Sequence, residues 1–150
     1  MDKSLIATAI ENLNLLDIVL YESNFKRFAE IDSQANLGQQ NKLAVRAEIA
    51  QAIDDNNNTI NLLSVLVDLG LRINQLADSK DEAQLLYQIE ATFKVDYEIK
   101  NTIDELALKE FAQFNAVHNV WAFWRQFVFA TANQAHLPCP EIPLKKIPLD

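Results

Sequence analysis

Hydrophobic and polar residues alternate with a period of two over two long stretches in the middle of the chain. Between Gln84 and Ile99 the apolar residues fall on one face and the polar residues on the other, and residues 59–73 alternate in the same way. A period of two is typical of β-strands, whose successive side chains point to opposite faces. At about 3.3 Å per residue the later stretch spans about 50 Å, so it contains a bulge or pairs with equally long strands.

Two further stretches add strands on the N-terminal side of this pair. Residues 43–49 also alternate and lead into the polar residues 54–58, which favour a tight turn. A second polar stretch, 78–82, separates the two long strands, so the last three strands are predicted to form an antiparallel meander. The first strand, over residues 13–22, is apolar on both faces, which favours burial between layers or pairing at an oligomer boundary.

The segments around the first strand are less regular. Residues 1–14 form an N-terminal segment with a faint helical stripe. About twenty residues separate the first strand from the second and carry Phe25, Phe28 and Ile31 among charges. This connection is too long for a tight turn, so we expect it to cross over the sheet with a few aromatic anchors.

The periodicity changes from two to between three and four after the sheet. Thr102-Ile103-Asp104-Glu105 matches a capping box, which predicts a helix from about Ile103. The apolar stripe continues to near Ala135, and a helix of that length is a rod of about 50 Å, so a break near His118 is an alternative.

Four prolines determine the conformation expected for the last residues of the chain. Pro138, Pro140, Pro143 and Pro148 exclude further regular helix, because proline lacks a backbone N–H and clashes with the preceding turn. The predicted fold is therefore α+β: a four-stranded antiparallel sheet, a long helix that is either continuous or broken, and an extended tail. The boundaries are 15–99 for the sheet, 102–135 for the helical region and 137–150 for the tail, within one domain over 1–150.

The predicted helix is apolar around most of its circumference. Ala122, Phe123, Phe129 and Ala130 lie off the main stripe, at positions where a surface helix carries charge. Such a helix is buried on more than one side, whereas one sheet covers a single side. We infer that the protein forms an oligomer through this helix. The alternative is that the C-terminal tail folds back and covers these apolar residues within one subunit. The predicted interface residues are Val117, Val120, Trp121, Trp124, Phe127 and Val128.

The composition argues against several classes of function. The chain has 150 residues and a formal net charge of −8, which repels nucleic acid and anionic membranes. Its two glycines, Gly38 and Gly70, cannot supply the glycine-rich loops of Rossmann or Walker nucleotide sites. A single cysteine, Cys139, excludes an internal disulfide, and the first residues lack a signal-peptide pattern, so a cytoplasmic location is expected.

Few residues have the chemistry of a catalytic or metal site. His136 and Cys139 have a spacing that suits half of a zinc site. The other histidine, His118, lies about five helical turns away and cannot complete it. Glu90 and Asp96 line the polar face of a strand, where solvation explains them better than acid–base catalysis. The sequence therefore predicts no catalytic residue, no metal site and no cofactor.

Three segments resemble the SecB family of export chaperones and its SecB-like relatives. Residues 120–128, Val-Trp-Ala-Phe-Trp-Arg-Gln-Phe-Val, are similar to the start of the family's apolar helix. The Leu-Pro of residues 137–138 and the Ile-Pro-Leu of residues 142–144 are similar to the segment that follows it. Residues 17–24 resemble the first strand and the turn behind it.

The resemblance implies a non-enzymatic, ATP-independent holdase that binds unfolded or precursor polypeptides in surface grooves. It also implies a Greek-key order of the four strands and a homotetramer arranged as a dimer of dimers. The groove residues that it implies are Phe25, Phe28, Ile31, Leu43, Val45, Leu137, Ile142 and Leu144.

The resemblance leaves the partner open. Asp17 and Leu86 match positions that dock the SecA motor in the export chaperones, but Tyr21 and Gln88 stand where acidic residues are expected. The chain also stops about a dozen residues after Pro138, which leaves no room for the family's second C-terminal helix. The shorter SecB-like proteins have this length, and some are dedicated chaperones of an antitoxin.

One enzymatic alternative remains. A hotdog-like acyl-thioester enzyme also wraps an antiparallel sheet around an apolar helix. In that fold the helix lies among the strands, whereas here the predicted helix follows all four strands. The sequence therefore favours a chaperone or a fixed-partner interaction module.

Overall fold

The computed structural model describes residues 1–76 and 83–144. The elements in chain order are helix α1 (Lys3–Asn12), strands β1 (Leu13–Arg27), β2 (Leu37–Ile53), β3 (Thr59–Gln75) and β4 (Gln84–Ile99), helix α2 (Glu105–Glu110), a π-helical segment (Phe111–Ala116) and helix α3 (Val117–Gln134). The predicted α+β class and element order are confirmed. The polar stretch 78–82 and the tail residues 145–150 lie outside the described residues.

The strands form one antiparallel sheet in the spatial order β1-β4-β3-β2. The predicted meander of β2, β3 and β4 is confirmed, and β1 pairs with β4, which gives a Greek-key order. Asp54 organises the turn between β2 and β3 by accepting hydrogen bonds from the backbone N–H groups of Asn56 (3.0 Å) and Asn58 (2.8 Å). Asn57 adopts a φ of 65° there, a left-handed conformation that asparagine tolerates.

The helical region continues without a break through α2, the π-helical segment and α3. It begins two residues later than the capping box predicts. Asp104, not Thr102, is the N-cap and accepts a hydrogen bond from the backbone N–H of Leu106 (3.2 Å). The alternative of a break near His118 is wrong, because that residue lies inside α3. No described helix is long and apolar enough to cross a membrane.

A left-handed residue ends α3. His136 has a φ of 55°, and the backbone N–H of Leu137 donates to the carbonyl of Ala132 at 2.9 Å. A second bond joins the N–H of His136 to the carbonyl of Asn133 at 3.3 Å. This is a Schellman motif, in which the left-handed position is usually glycine. It turns the chain from the helix axis into the tail.

The helical region packs against one face of the sheet, called here the inner face. The inner-face side chains of β3 and β4 are nearly all below 5% exposure, and close packing with α3 forms the core. They are Leu63, Val65, Val67, Leu69, Leu71 and Ile73 of β3 and Tyr87, Ile89, Ala91, Phe93, Val95 and Tyr97 of β4. The opposite, outer face is mostly polar, with Leu62 and Leu66 of β3 as exceptions.

β1 lies at one edge of the sheet, so the prediction that it is buried between layers is wrong. Two bulges interrupt its pairing with β4, one between Leu15 and Asp17 and one between Leu20 and Glu22. Each bulge adds a residue and reverses the alternation of side chains between the two faces. Leu15 and Leu20 therefore both lie on the inner face. Pairing of β1 at an oligomer boundary stays a prediction. Its apolar residues that are more than a third exposed are Leu15, Leu16, Val19, Leu20, Tyr21 and Phe25.

The predicted oligomer interface on α3 needs correction at four positions. These side chains are at most 3% exposed because they pack into the core of their own subunit, so they have no surface to offer a second subunit. The extended tail covers part of another side of α3, as the alternative prediction held. Among the α3 aromatics, Phe123 is 47% exposed, and Trp121, Phe127 and Phe129 are half-buried. The four buried positions are Val117, Val120, Trp124 and Val128.

Candidate functional site

An apolar stripe follows the inner face of β2, beyond the area that the helices cover. β2 is the other edge strand and pairs, among the described residues, only with β3. Side chains at alternate positions of this strand point to the inner face. Exposure increases along the strand and reaches 63% at Ile49 and 68% at Ile53. This β2 stripe consists of Leu43, Val45, Ala47, Ile49 and Ile53.

A cleft adjoins the middle of the β2 stripe. It has a volume of about 400 Å³ and lies between β2 and the start of the helical region. Ile49, Leu63, Ile103 and Leu108 give it mostly apolar walls. At its rim the Nζ of Lys109 lies 3.9 Å from a carboxylate oxygen of Glu105. The cleft can accept an apolar side chain from a segment lying along β2.

The tail crosses the inner face at the other end of the β2 stripe. Residues 137–144 are extended and pass from the end of α3 to the start of β2. Ile142 is only 8% exposed and lies with Leu43, Leu69, Trp121 and Trp124 around a cavity of about 180 Å³. This cavity, called here the tail slot, is the second apolar recess along β2.

The crossover between β1 and β2 lies at the same end of the sheet as the tail. The backbone N–H of Phe28 donates to the carbonyl of Leu86 at 2.7 Å, which extends the pairing of β1 with β4. Phe25 was predicted in the crossover but lies in β1, because β1 continues to Arg27. It is 38% exposed, Phe28 of the crossover is 44% exposed, and the Phe25 ring lies 6.4 Å from the ring of Tyr87. Ile31 packs partly against the core.

The predicted groove residues therefore fall into two groups and one outlier. Leu43, Val45 and Ile142 lie together along β2. The half-buried Leu137 precedes Pro138, whose carbonyl accepts a hydrogen bond from Tyr87, which lies beside Phe25. Leu144 is 77% exposed and belongs to neither group. The sequence did not identify the stripe residues after Val45, although the alternation of β2 continues beyond that residue, and it did not identify the apolar walls of the cleft. The stripe residues are Ala47, Ile49 and Ile53, and the cleft residues are Ile103 and Leu108.

The predicted motor-docking pair is not brought together. Asp17 pairs with Asp96 of β4, whereas Leu86 lies ten residues earlier on that strand, about 33 Å away at the usual strand rise. Leu86 is also completely buried and cannot contact a partner. The docking prediction is therefore wrong for Leu86, and Asp17 remains as an isolated exposed carboxylate.

The outer face carries a network of paired charges instead of an apolar surface. Asp68 accepts hydrogen bonds from the hydroxyl of Thr92 at 2.6 Å and from Arg46 Nε at 3.1 Å. Lys42 pairs with Glu90 at 3.1 Å. Partial burial pushes the pKa of Asp68 upward, but the bonds from Thr92 and Arg46 outweigh it, so the pKa lies below 3.8. These charges pair with one another, which is the arrangement of a solvated face.

Replacing Asp68 with asparagine should therefore have an effect that depends on pH. A carboxylate whose pKa is lowered by folding stabilises the native state above its unfolded pKa of 3.8, and this contribution is lost as the pH falls through the folded pKa. We expect Asp68→Asn to lower the free energy of unfolding by about 0.5–1 kcal/mol at pH 7. In urea unfolding, the difference from the native chain should shrink below about pH 4. An equal difference at pH 7 and pH 3 would contradict the role of the carboxylate.

The strongly shifted pKa values among the described residues belong to two buried tyrosines. Burial, together with the neighbouring Cys139, raises the pKa of Tyr87 to about 12, and burial raises the pKa of Tyr97 as well. Both phenols therefore stay protonated near neutral pH. Tyr97 donates to the side-chain oxygen of Asn119 at 2.6 Å, which is a structural role. Within residues 1–76 and 83–144, no three His, Cys, Asp or Glu side chains form a metal-binding group.

Comparison with known proteins supports the architecture. No protein-family model matches the chain, and no curated protein matches it in sequence. Its structure is similar to that of a SecB-like chaperone of Mycobacterium tuberculosis, solved in complex with a ChAD peptide from the HigA1 antitoxin. The TM-score is 0.75 at 16% sequence identity, over 98% of this chain and 100% of the other. The chain therefore has the SecB-like fold that its sequence resemblance predicts.

Proposed function

We propose that the protein is an ATP-independent holdase chaperone that binds unfolded or nascent polypeptides along β2. The observation that carries this proposal is the β2 stripe beside an open strand edge. An unfolded segment offers free backbone groups and alternate apolar side chains, and an edge strand with apolar recesses receives both. Recognition of this kind depends little on sequence, so many clients can bind.

A dedicated partner is the second candidate. The structurally similar chaperone was solved with a peptide from an antitoxin, and the same β2 surface is suited to one fixed peptide. Purification from the native host separates the two functions, since a dedicated chaperone carries a single stoichiometric protein and a general holdase carries a mixture. Export through SecA is not part of the proposal because Leu86 is buried.

Self-association into a homotetramer in the cytoplasm completes the proposal. Its support is the exposed apolar surface of β1, where Leu16, Val19 and Tyr21 are each more than 40% exposed, and the remaining aromatic surface of α3 around Phe123. Exposed apolar surface of this extent on an edge strand is typical of an interface between subunits.

Suppression of aggregation tests the proposed function. A chemically unfolded client is diluted into buffer without ATP, with and without several-fold excess of this protein, and light scattering is followed. An unrelated folded protein of similar size and charge serves as the control. We expect clear suppression by this protein and none by the control. Equal scattering in both samples would contradict holdase function.

A further inference from the structure

Four side chains hold the tail by its backbone, and Arg27 holds the C-cap residue of α3 just before it. Arg27 donates to the carbonyl of Ala135 (2.6 Å), and Tyr87 donates to the carbonyl of Pro138 (3.2 Å). Gln39, Arg125 and Trp121 hold the distal part. All these bonds reach backbone groups, so they do not depend on which side chains the tail carries. An extended segment of a different sequence can make the same bonds.

The pairing at Gln39 resembles the pairing of two strands. Its side-chain amide donates to the carbonyl of Glu141 (2.8 Å) and accepts from the N–H of the same residue (3.0 Å). Arg125 Nε donates to the carbonyl of Ile142 (3.1 Å), and Trp121 Nε1 donates to the carbonyl of Pro143 (2.9 Å). Three side chains thus donate hydrogen bonds to the carbonyls of three consecutive residues. Extended peptides are bound in this way without sequence specificity.

The tail slot is shaped for an apolar anchor and is not filled by the one that it holds. Of the three tail residues that line it, Glu141, Ile142 and Pro143, only Ile142 is buried, at 8% exposure. A cavity of about 180 Å³ remains beside it, and an apolar cavity of about 150 Å³ is large enough for a benzene ring. A segment with phenylalanine at this position would fill more of the slot than isoleucine does.

We propose that residues 141–143 are an internal pseudo-ligand, and that the tail slot is a binding site for an extended apolar segment of another chain. The donors are Gln39, Trp121 and Arg125, and Leu43 joins the slot directly to the β2 stripe. A bound client segment that runs along β2 into the slot must displace the tail. The competition with clients rests on the proposed function, whereas the peptide site does not.

Competition of this kind lowers the apparent affinity for clients. A tethered segment acts at an effective concentration in the millimolar range. Only the fraction of molecules with an open slot can bind a client there, so the apparent dissociation constant rises by the inverse of that fraction. A tail segment with an intrinsic dissociation constant near 0.1 mM would weaken client binding at the slot by about tenfold or more.

Two tail substitutions in the full chain form a matched pair. Ile142→Asp removes the buried anchor, whereas Leu144→Asp places the same charge two residues later on a side chain that is 77% exposed. Release of the tail frees the indole N–H of Trp121, which should shift tryptophan emission to the red and increase quenching by acrylamide. Ile142→Ala, which shortens the same anchor without adding a charge and leaves every donor of the slot in place, is the second variant should the first fail to fold.

The probe is a fluorescent synthetic peptide that copies residues 137–144 with Cys139→Ser. We expect it to bind the Ile142→Asp chain in fluorescence anisotropy at least tenfold more tightly than it binds the native and Leu144→Asp chains. The affinities of the three chains for an unfolded client should follow the same order. A released tail, seen in tryptophan emission, without peptide binding would overturn the slot as a peptide site.

Client binding separates the two proposals. Peptide binding to Ile142→Asp together with unchanged or weaker client binding would overturn the competition, because the tail would then be a wall of the client groove. Peptide binding without client binding by any variant would contradict the proposed holdase function and would support the slot as a peptide site.

Discussion

Replacement of both Ile49 and Ile53 with aspartate is expected to abolish suppression of client aggregation. The two side chains are 63% and 68% exposed in the free subunit, so the fold does not depend on them. Burial of each isoleucine against a client contributes about 1.5 kcal/mol. Loss of two such contacts weakens binding by about a hundredfold, and the desolvation of two carboxylates adds to that loss.

Gln51→Asp is the matched control for this double variant. Residue 51 lies between the two isoleucines on the same face of β2 and is exposed, so the control adds charge without removing apolar surface. Anisotropy of a labelled unfolded client should show a much smaller loss of affinity for Gln51→Asp, which adds one carboxylate and removes no apolar contact, than for the double variant. Equal affinity of all three proteins would place the client site elsewhere.

Trp124→Ala is expected to have the largest effect on stability. Its side chain is 3% exposed and stacks on Phe127 with a centroid distance of 6.3 Å. Truncation of a buried tryptophan leaves a large cavity between α3 and the sheet. Substitutions of this kind cost about 3–5 kcal/mol, which is a large share of the stability of a small domain.

The neighbouring Phe123 gives the comparison for Trp124. It is 47% exposed, so Phe123→Ala should lower the free energy of unfolding by about 1 kcal/mol or less. Urea unfolding followed by circular dichroism measures both. Similar losses for the two variants at a concentration at which the protein is monomeric would contradict the packing of α3, because they would mean that both sides of the helix are covered to the same extent within one subunit.

The sheet could be predicted from the sequence because its two central strands alternate almost without error. β3 and β4 have a buried inner face and a mostly polar outer face, so apolar and polar residues alternate with a period of two in their sequences. The turn at 54–58 was predicted as well, because aspartate and asparagine supply both the side-chain bonds and the left-handed conformation.

The behaviour of β1 could not be predicted in the same way. A bulge shifts the alternation by one residue, and nothing in the local sequence marks the bulged position at Leu16 or Tyr21. The apolar residues therefore seemed to lie on both faces of a straight strand. In the structure the two bulges bring them largely to one face of an edge strand.

The interface residues on α3 were misplaced because hydrophobicity does not identify what covers a side chain. Val117, Val120 and Val128 face the sheet of their own subunit, and Trp121 is held under the tail by its bond to Pro143. Prolines predict an extended tail but not the surface that it contacts. The bond partner of Gln39 in that tail is a hundred residues away in sequence and leaves no local signal.

Hydrogen–deuterium exchange of the backbone amides, with and without excess unfolded client, tests the central claim most directly. The account predicts slower exchange in β2 between Leu43 and Ile53 and in the cleft residues near Leu108, with the outer-face positions of β4 unchanged. Slower exchange confined to other elements, or no change anywhere at saturating client, would contradict a client site along β2.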